Sequence, residues 1–336
     1  MPQSHHRSAL WRFGLALFAA LLGLGTARAE VSLKITEGGE GTTPVAIVPF
    51  GGPQAGDNLG AIIAADLERS GRFTPLPVTA MLEQPTLPSE VRLPTWQMLG
   101  QEYLLIGRVQ PAGGDGRVAE FTLYDVLKDA VLLQQRMPFA AAEQRRTAHR
   151  IADILYRQLT GEPGDFAAPV AFVTVTGRVP QERRYQLQIA DGDGLGARTV
   201  LSSREPIMSP AWSPDGKRLA YVSFEKGTAA VYIQTLASGE RTVVSERKGI
   251  NGAPAWSPSG RELALTLSKD GNPDVYVMDI ESRALRRLTD HAGIDTEPAW
   301  SPDGRAIVFT SNRGGQPQLY RMNASGGQAQ RLSYEG

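Results

Sequence analysis

Apolar residues follow two different rhythms along this chain. Between Val45 and Thr160, short apolar runs alternate with segments of helical spacing. Val45–Phe50 reads as a buried strand. Leu59, Ile62, Ile63 and Leu67 then recur at helical spacing, with Asp57 placed to cap the helix and Gly71 to end it. Tyr103–Val109, Val118–Val126 and Ala130–Phe139 read as strands, and Gly113–Gly116 supplies the turn chemistry of a hairpin. Ala148, Ile151, Ile154, Leu155 and Leu159 mark one face of a last helix, and Gly161 follows it. These elements predict an α/β domain over 45–165. The Gly- and Pro-containing stretch 161–164 forms its linker, with the boundary near Phe166.

Beyond this point the rhythm becomes a repeat. Pro210-Ala211-Trp212-Ser213-Pro214-Asp215-Gly216 recurs as Pro254–Gly260 and again as Pro298–Gly304, with the tryptophans 44 residues apart each time. Each copy is followed by a turn, an apolar strand, a polar turn, a strand with alternating apolar residues, and a short last strand. Four short strands per repeat of this length is the pattern of a β-propeller blade. Val170–Val175, Tyr185–Ala190 and Ala197–Leu201 predict an earlier blade without its own opening strand. The expected fold is therefore an α+β two-domain chain, an N-terminal α/β domain followed by a β-propeller over 166–336. Four blades can be counted. The reading expects an incomplete sequence or an open ring, since another motif would be due near position 344.

The first residues have a third texture. His5, His6, Arg7 and Arg12 precede an apolar run from Phe13 to Leu24, and Ala27-Arg28-Ala29 follows. A basic start, an apolar middle and an Ala-x-Ala site predict a secretory signal peptide over 1–29. The run is short of the roughly 20 apolar residues a membrane span needs. No membrane insertion of the mature chain is expected. Residues 30–44 are polar and Gly-rich after Val31–Ile35 and read as an N-terminal arm. Removing 1–29 takes away three arginines and no acid, which leaves three more acids than bases. That balance excludes a typical nucleic-acid binder, which carries a basic excess. The chain has no cysteine, so core packing alone must hold an exported fold.

These residues resemble the TolB family, periplasmic components of the Tol–Pal cell-envelope system. The likeness rests on Ala46–Phe50, Met208–Gly216, Asn251–Pro254 and Gly326–Leu332. The resemblance implies a six-bladed propeller closed by a C-terminal strand, from which this chain departs by ending after four blades. It also implies two partners. A Pal-like outer-membrane lipoprotein would bind one propeller face, and a TolA-like inner-membrane protein would bind the N-terminal arm. The implied role is outer-membrane integrity and cell division, in the periplasm, and some members are exploited in colicin import.

The residues just before each Trp motif occupy equivalent positions and are expected to emerge on one face, as loops around the channel mouth. The candidate partner-binding residues there are Met208, Ile250, Asn251, Gly252, Ala253, Asp295, Thr296 and Glu297. Read from the residues alone, they are equally well tight interblade loops; the resemblance favours an interface. In the arm the candidates are Glu30, Val31, Leu33 and Ile35, able to add a strand to another protein's sheet edge. A plain flexible terminus is the commoner reading, and here too the resemblance favours function. Trp212, Trp256 and Trp300 are expected to pack between blades.

Catalytic signals are poor. His149 and His291 are the histidines left after the leader, and His149 reads as a solvated or packing residue on a helix. No nucleophile elbow, phosphate loop or His-x-x-x-His pair is present. Gly192–Gly196 imitates a dinucleotide loop but leads into no helix, so it reads as a blade turn. Asp191 and Asp193 are too few oxygen ligands to establish a calcium site. No catalytic residue, metal site or cofactor is expected. The rival reading is an exported propeller enzyme, a polysaccharide lyase or a peptidase-associated propeller.

Overall fold

The computed structural model describes residues 41–334. The predicted leader and the arm candidates Glu30, Val31, Leu33 and Ile35 lie outside the described residues.

The first half is a five-stranded sheet with helices on it. Its strands are β1 (Thr43–Ile47), β2 (Phe73–Pro75), β3 (Tyr103–Pro111), β4 (Gly116–Asp125) and β5 (Ala130–Ala140), in the order β2-β1-β3-β4-β5. β1 runs parallel to β2 and β3, and the remaining pairs are antiparallel. Successive strand residues point to opposite faces. Val45 and Ile47 therefore join the core formed with α1 (Leu59–Arg69) and α3 (Gln144–Thr160), through Ile63, Leu67, Ile151 and Leu155. Ala46 and Val48 face the other side, against the fully buried Trp96 of the short α2 (Leu93–Met98). A strand covered on both faces reads as an unbroken apolar run, which is why Val45–Val48 shows no alternation.

The cap of α1 differs from expectation. Asn58, not Asp57, accepts from the Gly60 N–H at 2.9 Å, and it also accepts from Phe50 N and donates to Phe50 O. The amide can do both, which a carboxylate cannot. Asp57 instead forms an ion pair with Arg145 at 2.9 Å. α3 begins at Gln144, a turn earlier than its apolar spacing suggests, and ends on Gly161 in the left-handed conformation, φ 78°. Beyond it, Asp153 of α3 accepts from the N–H groups of Phe166 and Ala167, and Tyr156 packs edge-on against Phe166. The chain is thus tied to the helix up to the point where the blades begin.

Four sheets follow. The first has three strands, β6 (Val170–Thr176), β7 (Arg184–Ala190) and β8 (Arg198–Ser203). The second is β9 (Ile207–Trp212), β10 (Arg218–Ser223), β11 (Ala230–Thr235) and β12 (Arg241–Ser245). The third is β13 (Asn251–Trp256), β14 (Glu262–Leu267), β15 (Asp274–Asp279) and β16 (Leu285–Arg287). The fourth is β17 (Asp295–Trp300), β18 (Ala306–Ser311), β19 (Gln318–Asn323) and β20 (Gln330–Arg331). First strands of neighbouring blades touch one another, which places them nearest the axis. β8 feeds β9 as β12 feeds β13, so β8 is a fourth strand. The first blade, among the described residues, lacks the innermost one.

The turn after each Trp explains the Ser-Pro-Asp-Gly grammar. Ser213 Oγ accepts from Arg218 N at 2.9 Å and donates to Asp215 Oδ1 at 2.6 Å, while Asp215 accepts from Lys217 N. Ser301 and Asp303 repeat the arrangement. Ser259 stands in for the aspartate in the middle copy, with a longer 3.0 Å contact to Ser257.

Apolar surface between blades carries the stability. Along β10, Leu219 and Tyr221 join Leu187 and Ile189 of the first blade, while Ala220 and Val222 join Leu263 and Leu265 of the third. Ala264 turns the other way, toward Ile307 and Phe309 of the fourth. Each such buried Leu, Ile, Val or Phe contributes roughly 1.5–3 kcal/mol before entropy, and each alanine less. An exposed pair such as Lys226–Glu246 contributes at most about 1 kcal/mol.

Candidate protein-interaction site

Of the residues preceding each Trp motif, Ile250 lies in a loop as its sequence suggested, whereas Met208, Asn251–Ala253 and Asp295–Glu297 lie at the beginnings of β9, β13 and β17. Their shape is unusual. Ser209, Ala253 and Glu297, spaced 44 apart, all have positive φ, at 51°, 45° and 53°. The pairing register with the second strand shifts at each of them. Each stands directly before a proline, which has no N–H to give to a ladder, so a bulge forms where the proline would otherwise break one. A non-glycine residue in this region costs about 1–2 kcal/mol. Three repetitions of that cost show that the surrounding packing imposes the kink.

The kink divides the candidates into two groups. Met208 is 51% exposed and Ile250 is 47% exposed. Glu297 is exposed, and Gly252, Ala253 and Thr296 are half-buried. Asn251 and Asp295 are buried and turned inward. Asn251 accepts from Ser245 Oγ and Arg247 N and donates to the carbonyls of Arg247 and Gly249, binding the incoming connection to its own blade. Asp295 accepts from Arg313 at 2.7 Å, and that guanidinium lies over the Phe309 and Tyr320 rings. These two side chains shape the rim rather than present a surface.

One rim residue escaped the sequence reading. Ile294 is 47% exposed and lies 44 residues after Ile250. Ile250 N donates to Ser268 Oγ and Ile294 N donates to Asn312 Oδ1, both at 2.7 Å, so the two isoleucines are held identically. The 44-residue spacing from Ile250 is the sequence signal that marks it.

The rim lies at the end of the blades away from the α/β body. Asn251 pairs with Leu267, and Leu267 with Asp274, at the rim end. The chain enters the first blade at Val170, which pairs with Ala190 at the opposite end, where the Asp191–Ala197 turn follows. That turn meets α3. His149 is 1% exposed there, so of the two readings it packs inside and is not solvated, and its Nδ1 is 2.6 Å from Asp66 Oδ2. Its Nε2 has no hydrogen-bond partner and lies 3.9 Å from Asp191 Oδ2 and 3.8 Å from Asp193 Oδ2. Arg145 bonds Asp193 and lies 3.4 Å from Asp191. Burial alone would raise the Asp193 carboxyl. The Leu195 N–H and the Arg145 charge outweigh it and hold the group below the usual carboxylate range.

The TolB beta propeller domain family matches residues 156–336, more than half of the chain, and the TolB amino-terminal domain family matches residues 31–132. This chain belongs to the TolB family. The Tol-Pal system protein TolB of Methylococcus capsulatus is 55% identical over 237 residues, covering 70% of this chain and 55% of that one. The corresponding protein of Nitrosococcus oceani is 48% identical, over 71% of this chain and 56% of its own. The chain therefore spans just over half the length of these relatives. Among solved structures, TolB from Acinetobacter baumannii superposes with a TM-score of 0.79 at 43% identity, covering 88% of this chain and 72% of that one. Membership of the TolB family agrees with the name Tol-Pal system protein TolB that these relatives carry. It also agrees with the α/β-then-propeller architecture expected from the sequence. Among the described residues, no helix is long and apolar enough to cross a membrane.

Proposed function

We propose that this chain is a periplasmic protein-interaction component of the Tol–Pal system that binds a Pal-like outer-membrane lipoprotein through the rim formed by Met208, Ile250 and Ile294. Its N-terminal arm, residues 30–37, is the proposed contact for a TolA-like inner-membrane protein. Together the two contacts support outer-membrane integrity and cell division.

The observation that carries the rim assignment is the exposure of these apolar side chains together at the end of the blades free of the α/β body. Exposed apolar anchors beside small residues, here Gly252 and Ala253, provide what the core of an interface needs, with Glu297 as a polar edge. The mixed charge of the neighbouring loops suits a protein partner better than a polyanion.

The test is binding of the soluble domain of the Pal-like lipoprotein from the same cell envelope, measured by calorimetry. The Ile250→Asp, Ile294→Asp double variant should bind at least tenfold more weakly at an unchanged Tm. Undiminished binding would remove the rim from the interface. Deleting residues 30–37 should abolish binding of the TolA-like partner and leave Pal binding intact; retained TolA binding would remove the arm.

A further inference from the structure

We propose that His149, Asp191 and Asp193 form a divalent-cation site of zinc character that joins the α/β body to the first blade. One buried nitrogen at this junction is left unsatisfied. His149 is 1% exposed, and Asp66, itself fully buried, receives its Nδ1 proton at 2.6 Å. In the neutral ring that bond fixes the proton on Nδ1, which makes Nε2 the nitrogen free to ligate a metal. Nε2 has no hydrogen-bond partner. It lies 3.8 and 3.9 Å from two carboxylate oxygens, and all three atoms lie within 4.8 Å of one another.

Two acidic oxygens facing a lone pair repel one another unless something positive sits between them. The separations are too long for direct hydrogen bonds. They are near what an ion bound by each atom at about 2.0–2.2 Å requires, since its tetrahedral ligand–ligand edges would be roughly 3.3–3.6 Å; the two edges to His149 need a closure of a few tenths of an ångström, and the edge between the aspartates lies within 4.8 Å. One imidazole and two carboxylates favour zinc over calcium, which takes six to eight oxygens. Asp191 is about one-third exposed, which leaves an entry path and an open position for water. The Asp66–His149 bond is the carboxylate–imidazole support that metal-binding histidines use.

Arg145 is the competing cation. It holds Asp57 and Asp193, and its Nε is buried 3.4 Å from Asp191 without a hydrogen-bond partner. Its charge offsets part of the acidic cluster and lowers the affinity for zinc, but it does not reach Nε2. The proposed site spans two bodies: His149 comes from α3, and both carboxylates come from the β7–β8 turn of the first blade. Occupancy would therefore couple the α/β body to the propeller, a property independent of the rim and its partners.

The experiment titrates zinc into the full, untagged, chelator-treated chain at neutral pH, followed by calorimetry and by thermal unfolding. The expected result is saturable binding with a rise in Tm. Asp191→Asn and Asp193→Asn should each weaken that binding at least tenfold, and Asp66→Asn should weaken it about 10–100-fold. Asp191 is the most exposed of the cluster, so its variant carries the test if a buried substitution fails to fold. Cobalt in place of zinc should give visible absorption of a four-coordinate site, lost in Asp191→Asn. No Tm response to zinc, or a response equal in wild type and Asp191→Asn, would overturn the proposal and leave Arg145 as the resident cation.

Discussion

Trp256 donates its indole N–H to the carbonyl of Ala211, 3.1 Å away on the neighbouring blade, and Trp300 makes the same bond to Ala255. The motif residue Ala of one blade thus serves the motif Trp of the next. Trp212 should find its acceptor on the innermost strand of the first blade. That strand is absent among the described residues, and Trp212 Nε1 is buried without a partner. Trp256 also carries the Arg218 guanidinium 4.6 Å from its ring.

Trp256→Phe should therefore cost about 2 kcal/mol, because it strands the Ala211 carbonyl and weakens the cation–π contact. Trp212→Phe removes a donor that is already unpaired and should cost under about 1 kcal/mol. Urea unfolding of both variants checks the difference, and equal losses would show that the interblade bond contributes nothing.

The left-handed bulges predict an ordering at Ala253. Ala253→Val should destabilise by at least about 1 kcal/mol, since a β-branched side chain tolerates positive φ poorly. Ala253→Gly should be neutral or stabilising by up to about 1 kcal/mol, as strain relief opposes the added freedom of the unfolded chain. A valine variant as stable as the glycine variant would contradict the assigned backbone.

Ser259 occupies the place that Asp215 and Asp303 hold in the other two turns. Hydrogen bonds from Ser213 and Ser301 hold those two carboxyls below the usual range. Ser259→Asp should raise Tm by about 1–2 °C at neutral pH. A depressed carboxyl stabilises the fold above its unfolded pKa, so the gain should vanish as pH falls through the lowered folded value. A gain that persists in strong acid would assign it to another cause.

At the alkaline end, burial and the Glu225 carboxylate push the Tyr232 phenol up to about 12. A raised folded value means that the stabilisation is complete below the unfolded pKa near 10 and is lost as pH rises toward 12. Tm should fall over that window, and Tyr232→Phe should flatten the fall. The substitution should cost at most about 1 kcal/mol at pH 7, because the ring keeps its packing and only the hydroxyl is lost. Absorbance at 295 nm, read alongside, should show one fewer late-titrating tyrosine in the variant.

The blades were legible because their determinants are local: a turn of Ser, Pro, Asp and Gly, then strands whose period-2 residues return every 44 positions. The helix cap was misread because Asn58 earns its place through Phe50, eight residues away, which no local rule supplies. The rim residues were found by periodicity, but their burial was not. Whether Asn251 faces inward depends on the bulge at Ala253, and positive φ at an alanine leaves no mark in a sequence. His149 packs inside, one of the two readings its helix allows, but its surroundings are not legible in the sequence, for a different reason. Its partners Asp66, Asp191 and Asp193 come from another helix and from the first blade, and only the fold brings them together.

The separation of rim and α/β body has a mechanical consequence. Blade strands run from the end that meets α3 to the end that carries Ile250 and Ile294. A pull between something held at the rim and something held at the α/β body would load those strands along their length. Rows of hydrogen bonds would then share the force in shear, instead of opening one after another as they would if a strand were peeled sideways. A force-extension trace should therefore show a higher rupture force for this pulling axis than for one attached across a blade.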